Sequence, residues 1–254
     1  MNDKVYSRDY TPREIMIVAA SRVLNDGEKV LVGVGLPMLA AALAKKTRAP
    51  NLILMFEPGI IDADMTRMPK AVGDPSIVAG STCITGLYEM FAYYICSGLL
   101  DVGFLGAAQV DRFGNINTTA IGTYERPAAR LPGSGGANDI ASMAKKIIII
   151  MPHNKRNFKE RVDFVTSPGF LTGRDKRKAC GLMGGGPEVM VTDKGVFGFS
   201  EQTGEMFLKT YHPGVTIEEI QEAIPWQLKI AEDVGETEPP TEEEIHILRH
   251  VIGV

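Results

Sequence analysis

Four short runs of this chain lack any polar face: "VLVGVG" from Val30, "LILMF" from Leu52, "VGFLG" from Val102 and "IIIIM" from Ile147. A half-exposed strand alternates apolar and polar residues; a strand without alternation has to be covered on both sides. Helix-like segments separate the runs. "TPREIMIVAASRVL" precedes the first and "PMLAAALAKKT" follows it, with "LYEMFAYYICSGL" and "ANDIASMAKK" later. Thr11 with Glu14 forms a capping box, Pro12 suits the first helical position, and Asp26-Gly27 ends that helix. The alternation predicts an α/β fold: an open, mostly parallel sheet with helices on both faces.

The texture changes after Asp163. "VMVTDKGVFGF" reads as a β-hairpin about Lys194-Gly195, with a second turn at Glu201 to Gly204. Thr216 with Glu219, and Thr241 with Glu244, are capping boxes that open two short helices. Between them "AEDVGETEPPTEEE" is acidic and proline-containing, and reads as a solvated linker. There is no internal repeat. The expectation is a single domain over 1–254, with a C-terminal hairpin and helical extension from about 186 to 254.

Composition narrows the class. The chain has 254 residues, 44% of them hydrophobic and 23% charged, enough for one substantial core. A net charge of -4 gives no basic face for nucleic acid. Cys83, Cys96 and Cys180 form an odd, widely spaced set without a CxxC, which suits a reducing cytoplasm. "MNDKVYSRDY" has no signal-peptide core, and no apolar run approaches the ~20 residues of a membrane span. A soluble cytoplasmic protein is expected, with neither nucleic acid nor membrane as a partner.

Several chemistries drop out. Met38 stands where a dinucleotide-binding turn after Gly33 and Gly35 needs its third glycine. There is no Walker A pattern, and "GFSEQ" around Ser200 fails as a nucleophile elbow. His246 and His250 have the spacing of two metal ligands but no nearby acid on an apolar wall, so they read as a plain helix face and no metal is expected. No sequence feature favours a Cys-His pair. What remains is glycine and one acid. "GVG" at 33–35, "GSGGAND" at 133–139 and "GGG" at 184–186 can point backbone N–H groups at an oxyanion or phosphate, or can merely permit tight turns. Glu57 ends the apolar run "LILMF" and is followed by Pro58-Gly59. It is either a solvated loop acid or a carboxylate held out for chemistry. An ionised carboxylate needs no histidine to take its proton, so with N–H-rich turns beside it acyl transfer becomes possible.

Longer blocks carry a resemblance. "VGVGLPMLAAALAKK", "FEPG", "GAAQVDRFGNINTTAIGTYERP", "GSGGANDIAS", "VDFVTSPGFLTG" and "GGGPEVMVTDKGVFGF" together resemble the β subunits of class I CoA-transferases, most closely those of the glutaconate CoA-transferase type, almost end to end. The resemblance implies a CoA-transferase fold and ping-pong transfer of CoA through a glutamyl-CoA thioester. It implies Glu57 as nucleophile, and Asn117 of "GNIN" as the residue orienting it, with Asn115 as the alternative. It also implies backbone donors at Gly33, Val34 and Gly35 and at Gly135, Gly136 and Ala137. It further implies an α-subunit partner in an α2β2-type assembly, and no permanently bound cofactor, the coenzyme A thioester being substrate. Pro58 departs from the Ser or Asn that relatives of this type carry between Glu and Gly, and proline removes one N–H. Family members that hydrolyse, decarboxylate or open rings of CoA esters are therefore the alternative, and a non-catalytic subunit the third reading. Arg126 and Arg130 are candidates for reading a substrate's charge.

Overall fold

The computed structural model describes residues 4–64, 67–71 and 73–253. In chain order its strands are β1 (Lys29–Val32), β2 (Ile53–Phe56), β3 (Ile60–Ile61), β4 (Cys83–Ile84), β5 (Val102–Gly106), β6 (Gln109–Val110) and β7 (Ile116–Asn117). β8 (Ala120–Gly122), β9 (Pro127–Arg130), β10 (Lys146–Ile150), β11 (Pro187–Val191), β12 (Gly195–Phe199), β13 (Met206–Tyr211) and β14 (Lys229–Glu236) follow. The helices are α1 (Pro12–Ser21), α2 (Leu36–Lys46), α3 (Leu87–Glu89), α4 (Ala137–Met143), α5 (Arg174–Ala179), α6 (Ile217–Gln221) and α7 (Glu242–His246). α3 and α7 continue into π-helical turns at Met90–Ile95 and Ile247–Ile252.

Ten strands form one sheet in the order β14-β13-β12-β11-β10-β5-β1-β2-β3-β4. The five central strands, β11 to β2, are parallel, which is the mostly parallel α/β sheet the apolar runs predict. Their missing polar face has a direct cause. Val30, Val32, Leu54, Phe104 and Ile148 point to one side, against α1, α2 and the C-terminal π-helix. Leu31, Met55, Leu105, Ile147 and Ile149 point to the other, against Met90, Ile95 and Ile140. Each such fully buried side chain contributes about 1.5–3 kcal/mol by leaving water. All three capping boxes form, at Thr11–Glu14, Thr216–Glu219 and Thr241–Glu244.

Two expectations change. The acidic segment read as a linker begins as strand β14, which pairs in parallel with β13 at the sheet's edge. Composition misleads there because an edge strand pairs through its backbone and can leave charged side chains in water on both faces. The helix "ANDIASMAKK" stops at Met143, since the Lys145 and Lys146 N–H groups donate to Leu100 O and Asp101 O and start β10.

Candidate active site

β2 delivers Glu57, and the chain then turns. The Gly59 N–H donates to Phe56 O at 2.9 Å, so the donor that Pro58 lacks is not needed to close this turn. Gly59 has φ 99°, and a side chain there would collide with the Thr85 carbonyl, so only glycine fits. β3 then returns antiparallel to β2.

Because β1, β2 and β5 are parallel, the Gly33–Gly35 turn, Glu57 and Gly106 all leave the sheet at its carboxyl edge, the usual ligand side of such sheets. A cavity of about 320 Å³ opens there. Gly33, Val34, Glu57, Thr118, Gly133, Ser134 and Ala137 line it, with Phe104, Leu105, Leu131, Pro132 and Ile140 as apolar wall. Glu57 is its sole ionisable lining side chain among the described residues.

Burial raises the Glu57 carboxyl above the usual glutamic acid range, opposed by the backbone N–H of Gly136, and no cation contributes. Gly136 precedes α4, and a Cβ on it would lie 2.7 Å from Glu57 Oε1 and collide with the Phe91 ring. A residue larger than glycine at 136 is therefore incompatible with the carboxylate where it stands. Gly35 precedes α2 in the same way, at φ 109°. The N–H groups of Val34, Gly35 and Gly135 donate to no other backbone group among the described residues, whereas that of Ala137 donates to Ser134 O at 2.9 Å.

The glycine loop is tied down at its start. The Gly133 N–H donates to Thr118 O, and the Thr118 hydroxyl donates to Gly133 O, both at 2.8 Å. Asn117 is fully buried, and its amide closes the turn next to this anchor instead of reaching Glu57. Its Nδ2 donates to Gln109 Oε1 (2.6 Å) and Ala120 O (2.7 Å), and its Oδ1 accepts from the Thr119 N–H (2.9 Å). Asn115 is likewise committed to Asp111, Gly169 and Leu171. Nothing in the sequence singles out Thr118 and Phe91, since single hydroxyls and rings recur throughout the chain, whereas Ser134 falls within the glycine loop that the sequence does mark.

Other candidates lie outside the cavity. Arg126 and Arg130 are exposed, and Arg130 sits 4.8 Å over the Tyr124 ring. His246 and His250 are exposed on one helix face with ring centroids 4.9 Å apart. Gly184–Gly186 wraps the far end of α4. No helix among the described residues is long and apolar enough to cross a membrane.

Comparison with known proteins places this geometry. The chain is 44% identical over 240 residues to the β subunit of 3-oxoadipate CoA-transferase of Pseudomonas knackmussii, covering 94% of this chain and 92% of that relative. It is 36% identical over 249 residues to the β subunit of glutaconate CoA-transferase of Acidaminococcus fermentans, covering 96% and 93%. The crystal structure of glutaconate coenzyme A-transferase from that organism matches with a TM-score of 0.90 over 97% of this chain and 96% of that one. A more distant relative, at 28% identity over 95% of this chain and 94% of its own length, is the cholesterol ring-cleaving hydrolase IpdB subunit of Mycobacterium tuberculosis. Residues 13–223 match the coenzyme A transferase family as a whole, and on that match and these identities the chain belongs to it.

Proposed function

We propose that this chain is the β subunit of an acyl-CoA:carboxylate CoA-transferase in which Glu57 is the nucleophile. The observation that carries the reading is a lone, half-buried carboxylate at the tip of β2, facing a cavity walled by two glycine turns. A carboxylate half withdrawn from water and without a cation is a stronger nucleophile than a fully hydrated one.

The steps balance without an external acid or base. A Glu57 oxygen attacks the acyl-CoA carbonyl, the C–S bond breaks, and the CoA thiolate leaves an acyl-glutamyl anhydride. The thiolate attacks the glutamyl carbonyl, which releases the donor acid and leaves a glutamyl-CoA thioester. The acceptor carboxylate attacks that thioester and expels the thiolate. The thiolate then takes the acceptor's acyl group, and Glu57 returns as carboxylate. Every step passes through a tetrahedral oxyanion, and the unengaged N–H groups of Val34, Gly35 and Gly135 are the donors offered to it. Asn117 contributes by closing the 117–120 turn through Ala120 O and the Thr119 N–H, beside the Thr118 that anchors the start of the glycine loop. No permanently bound cofactor takes part.

The apolar wall of Phe104, Leu105, Leu131, Pro132 and Ile140 disfavours water at the glutamyl thioester, which supports transfer over the hydrolysis that Pro58 leaves open. The partner is an α subunit, in an α2β2-type assembly in the cytoplasm; relatives that are themselves one subunit of a two-subunit enzyme support a partner. The edge strand β4 and the helix after it expose Ile84, Leu87, Tyr88 and Tyr93 next to the Glu57 turn, and this apolar edge is where the α subunit closes the cavity. 3-Oxoadipate and glutaconate, in the names of two relatives, are dicarboxylates, so a short dicarboxylic acid is the substrate class, with the exposed Arg126 or Arg130 as the candidates for reading its second charge.

The test is trapping. The αβ complex is incubated with acyl-CoA and borohydride, and peptide mass is measured. A reduced side chain at Glu57 supports the reading. An unlabelled Glu57 during turnover, or full activity of Glu57→Gln, overturns it and leaves a hydrolytic or non-catalytic subunit.

A further inference from the structure

Arg177, in α5, is 3% exposed, and no carboxylate pairs with it among the described residues. Its guanidinium is spread over backbone carbonyls instead. Nε donates to Gly184 O (2.9 Å), Nη1 to Pro168 O (3.1 Å) and Gly169 O (2.9 Å), and Nη2 to Ala141 O (2.8 Å) and Ser142 O (3.4 Å). Burial lowers this group to about 10, which leaves it cationic at neutral pH. A buried cation without an anion is costly, so its location needs an explanation. Ala141 and Ser142 supply one. They are the last-turn carbonyls of α4, the negative end of that helix, where a cation is favoured.

The triple glycine, which the catalytic reading leaves unused, completes the same grip. The Gly184 N–H donates to Ser142 O at 2.7 Å and the Gly185 N–H to Ala144 O at 3.2 Å. A side chain on either would collide with the Ala144 or Lys145 carbonyl. Gly169 is fixed independently, since its N–H donates to Asn115 Oδ1 at 2.9 Å. Arg177 therefore joins the "GNIN" loop, the triple glycine and the carboxyl end of α4. At the other end of α4, about 10 Å away along seven residues, Gly136 meets Glu57.

We propose that Arg177 is a positioning residue: it grips α4 by its C-terminal carbonyls and thereby fixes where the Gly136 N–H meets the Glu57 carboxylate. The inference rests on Glu57 being the nucleophile only for its kinetic consequence.

The experiment compares Arg177→Lys and Arg177→Met with wild type in the αβ complex. The pH profile of kcat/KM is measured, and the Glu57 carboxyl is titrated directly by 13C NMR of labelled glutamate, assigned with Glu57→Gln. The Gly136 N–H holds the carboxyl down, so releasing α4 moves the titration and the acidic limb of the profile to higher pH. kcat falls by about 10²-fold with KM within about threefold, as expected when a catalytic group is misplaced by a fraction of an ångström to an ångström. A merely structural role lowers yield and thermal stability and leaves both curves in place. Arg177→Lys keeps the charge inside and decides the matter if Arg177→Met does not fold. An unchanged Glu57 titration in a folded Lys variant overturns the inference. If Glu57→Gln proves active, the nucleophile reading falls, and the NMR titration still judges Arg177.

Discussion

The two ends of the parallel strands treat carboxylates in opposite ways. At the amino end, Asp101 lies 2.6 Å from the Lys29 ammonium and 2.7 Å from that of Lys145, and Glu28 lies 2.7 Å from Lys146. Burial raises Asp101, but hydrogen bonds from Lys145 and Lys29 outweigh it and bring the carboxyl down to about 2. At the carboxyl end Glu57 is also desolvated, yet one backbone N–H is all that opposes the rise. An acid matched by cations holds structure together. An acid left desolvated and unmatched makes the fold less stable, and such a position persists where chemistry uses it.

Glu57→Gln is the sharpest way to break this comparison. Transfer should fall by about 10⁴-fold or more, the scale on which covalent nucleophiles matter. The thermal midpoint should rise rather than fall. The folded pKa of Glu57 lies above the unfolded one, so the native state binds more protons between the two values, and stability drops as pH rises through that window. At neutral pH the full cost of the charge is present, and the amide removes it. A lower midpoint in calorimetry would put Glu57 with the structural acids.

Gly136→Ala comes next. Its φ of -82° suits any residue, so the backbone tolerates alanine. The new methyl meets Glu57 Oε1 and the tip of Phe91, both movable side-chain ends. The loss should therefore appear in kcat, by about 10²-fold as for a displaced catalytic group, with little change in unfolding by denaturant. Equal losses in both measurements would deny Gly136 a special place.

pH separates the two ends within the unmodified protein. The acidic limb of kcat/KM should lie above the ordinary glutamic range of roughly 4.3, because Glu57 must be ionised to attack. Acid unfolding follows the matched acids. Asp101, raised by burial but pulled down further by hydrogen bonds from Lys145 and Lys29, lies at about 2. Its contribution to stability is complete above the unfolded value and is lost as pH falls through about 2. Activity should thus vanish reversibly on acidification while circular dichroism still reports the native fold.

Much of this was legible from residues. The doubly apolar strands announced a covered parallel sheet, and the capping boxes placed three helix starts. Glu57, Val34 and the 133–137 loop meet at one cavity because successive parallel strands release their loops at the same edge, which strand order alone implies. Asn117 shows where such reading stops. "GNIN" marks a residue with a demanding environment, but whether an amide turns to a carboxylate or to its own turn depends on Gln109, Ala120 and Thr119, which sequence cannot orient. Arg177 was invisible for a similar reason. It sits in "GRDKRKA", a run of charges, and the packed carbonyls of two flanking loops and of the distant α4 bury it.

Asp101→Asn should have the smallest effect and is the control for the whole contrast. The asparagine oxygen can still accept from the Lys29 N–H, which Asp101 now does at 2.9 Å, so only the charge is lost. The Lys145 side chain is 62% exposed, and water already screens much of that pair. The expected loss is about 0.5–1 kcal/mol, or about 1–4 °C in the thermal midpoint, with kcat and KM unchanged. The loss should also depend on pH. The folded carboxyl lies below the unfolded one, so the pair's contribution is complete above about 4 and disappears as pH falls through about 2. Wild type and variant should therefore differ at neutral pH and converge in acid. A variant that kept its stability but lost turnover would show that charge at the amino end of the strands reaches the Glu57 cavity, and the two ends could no longer be treated as separate.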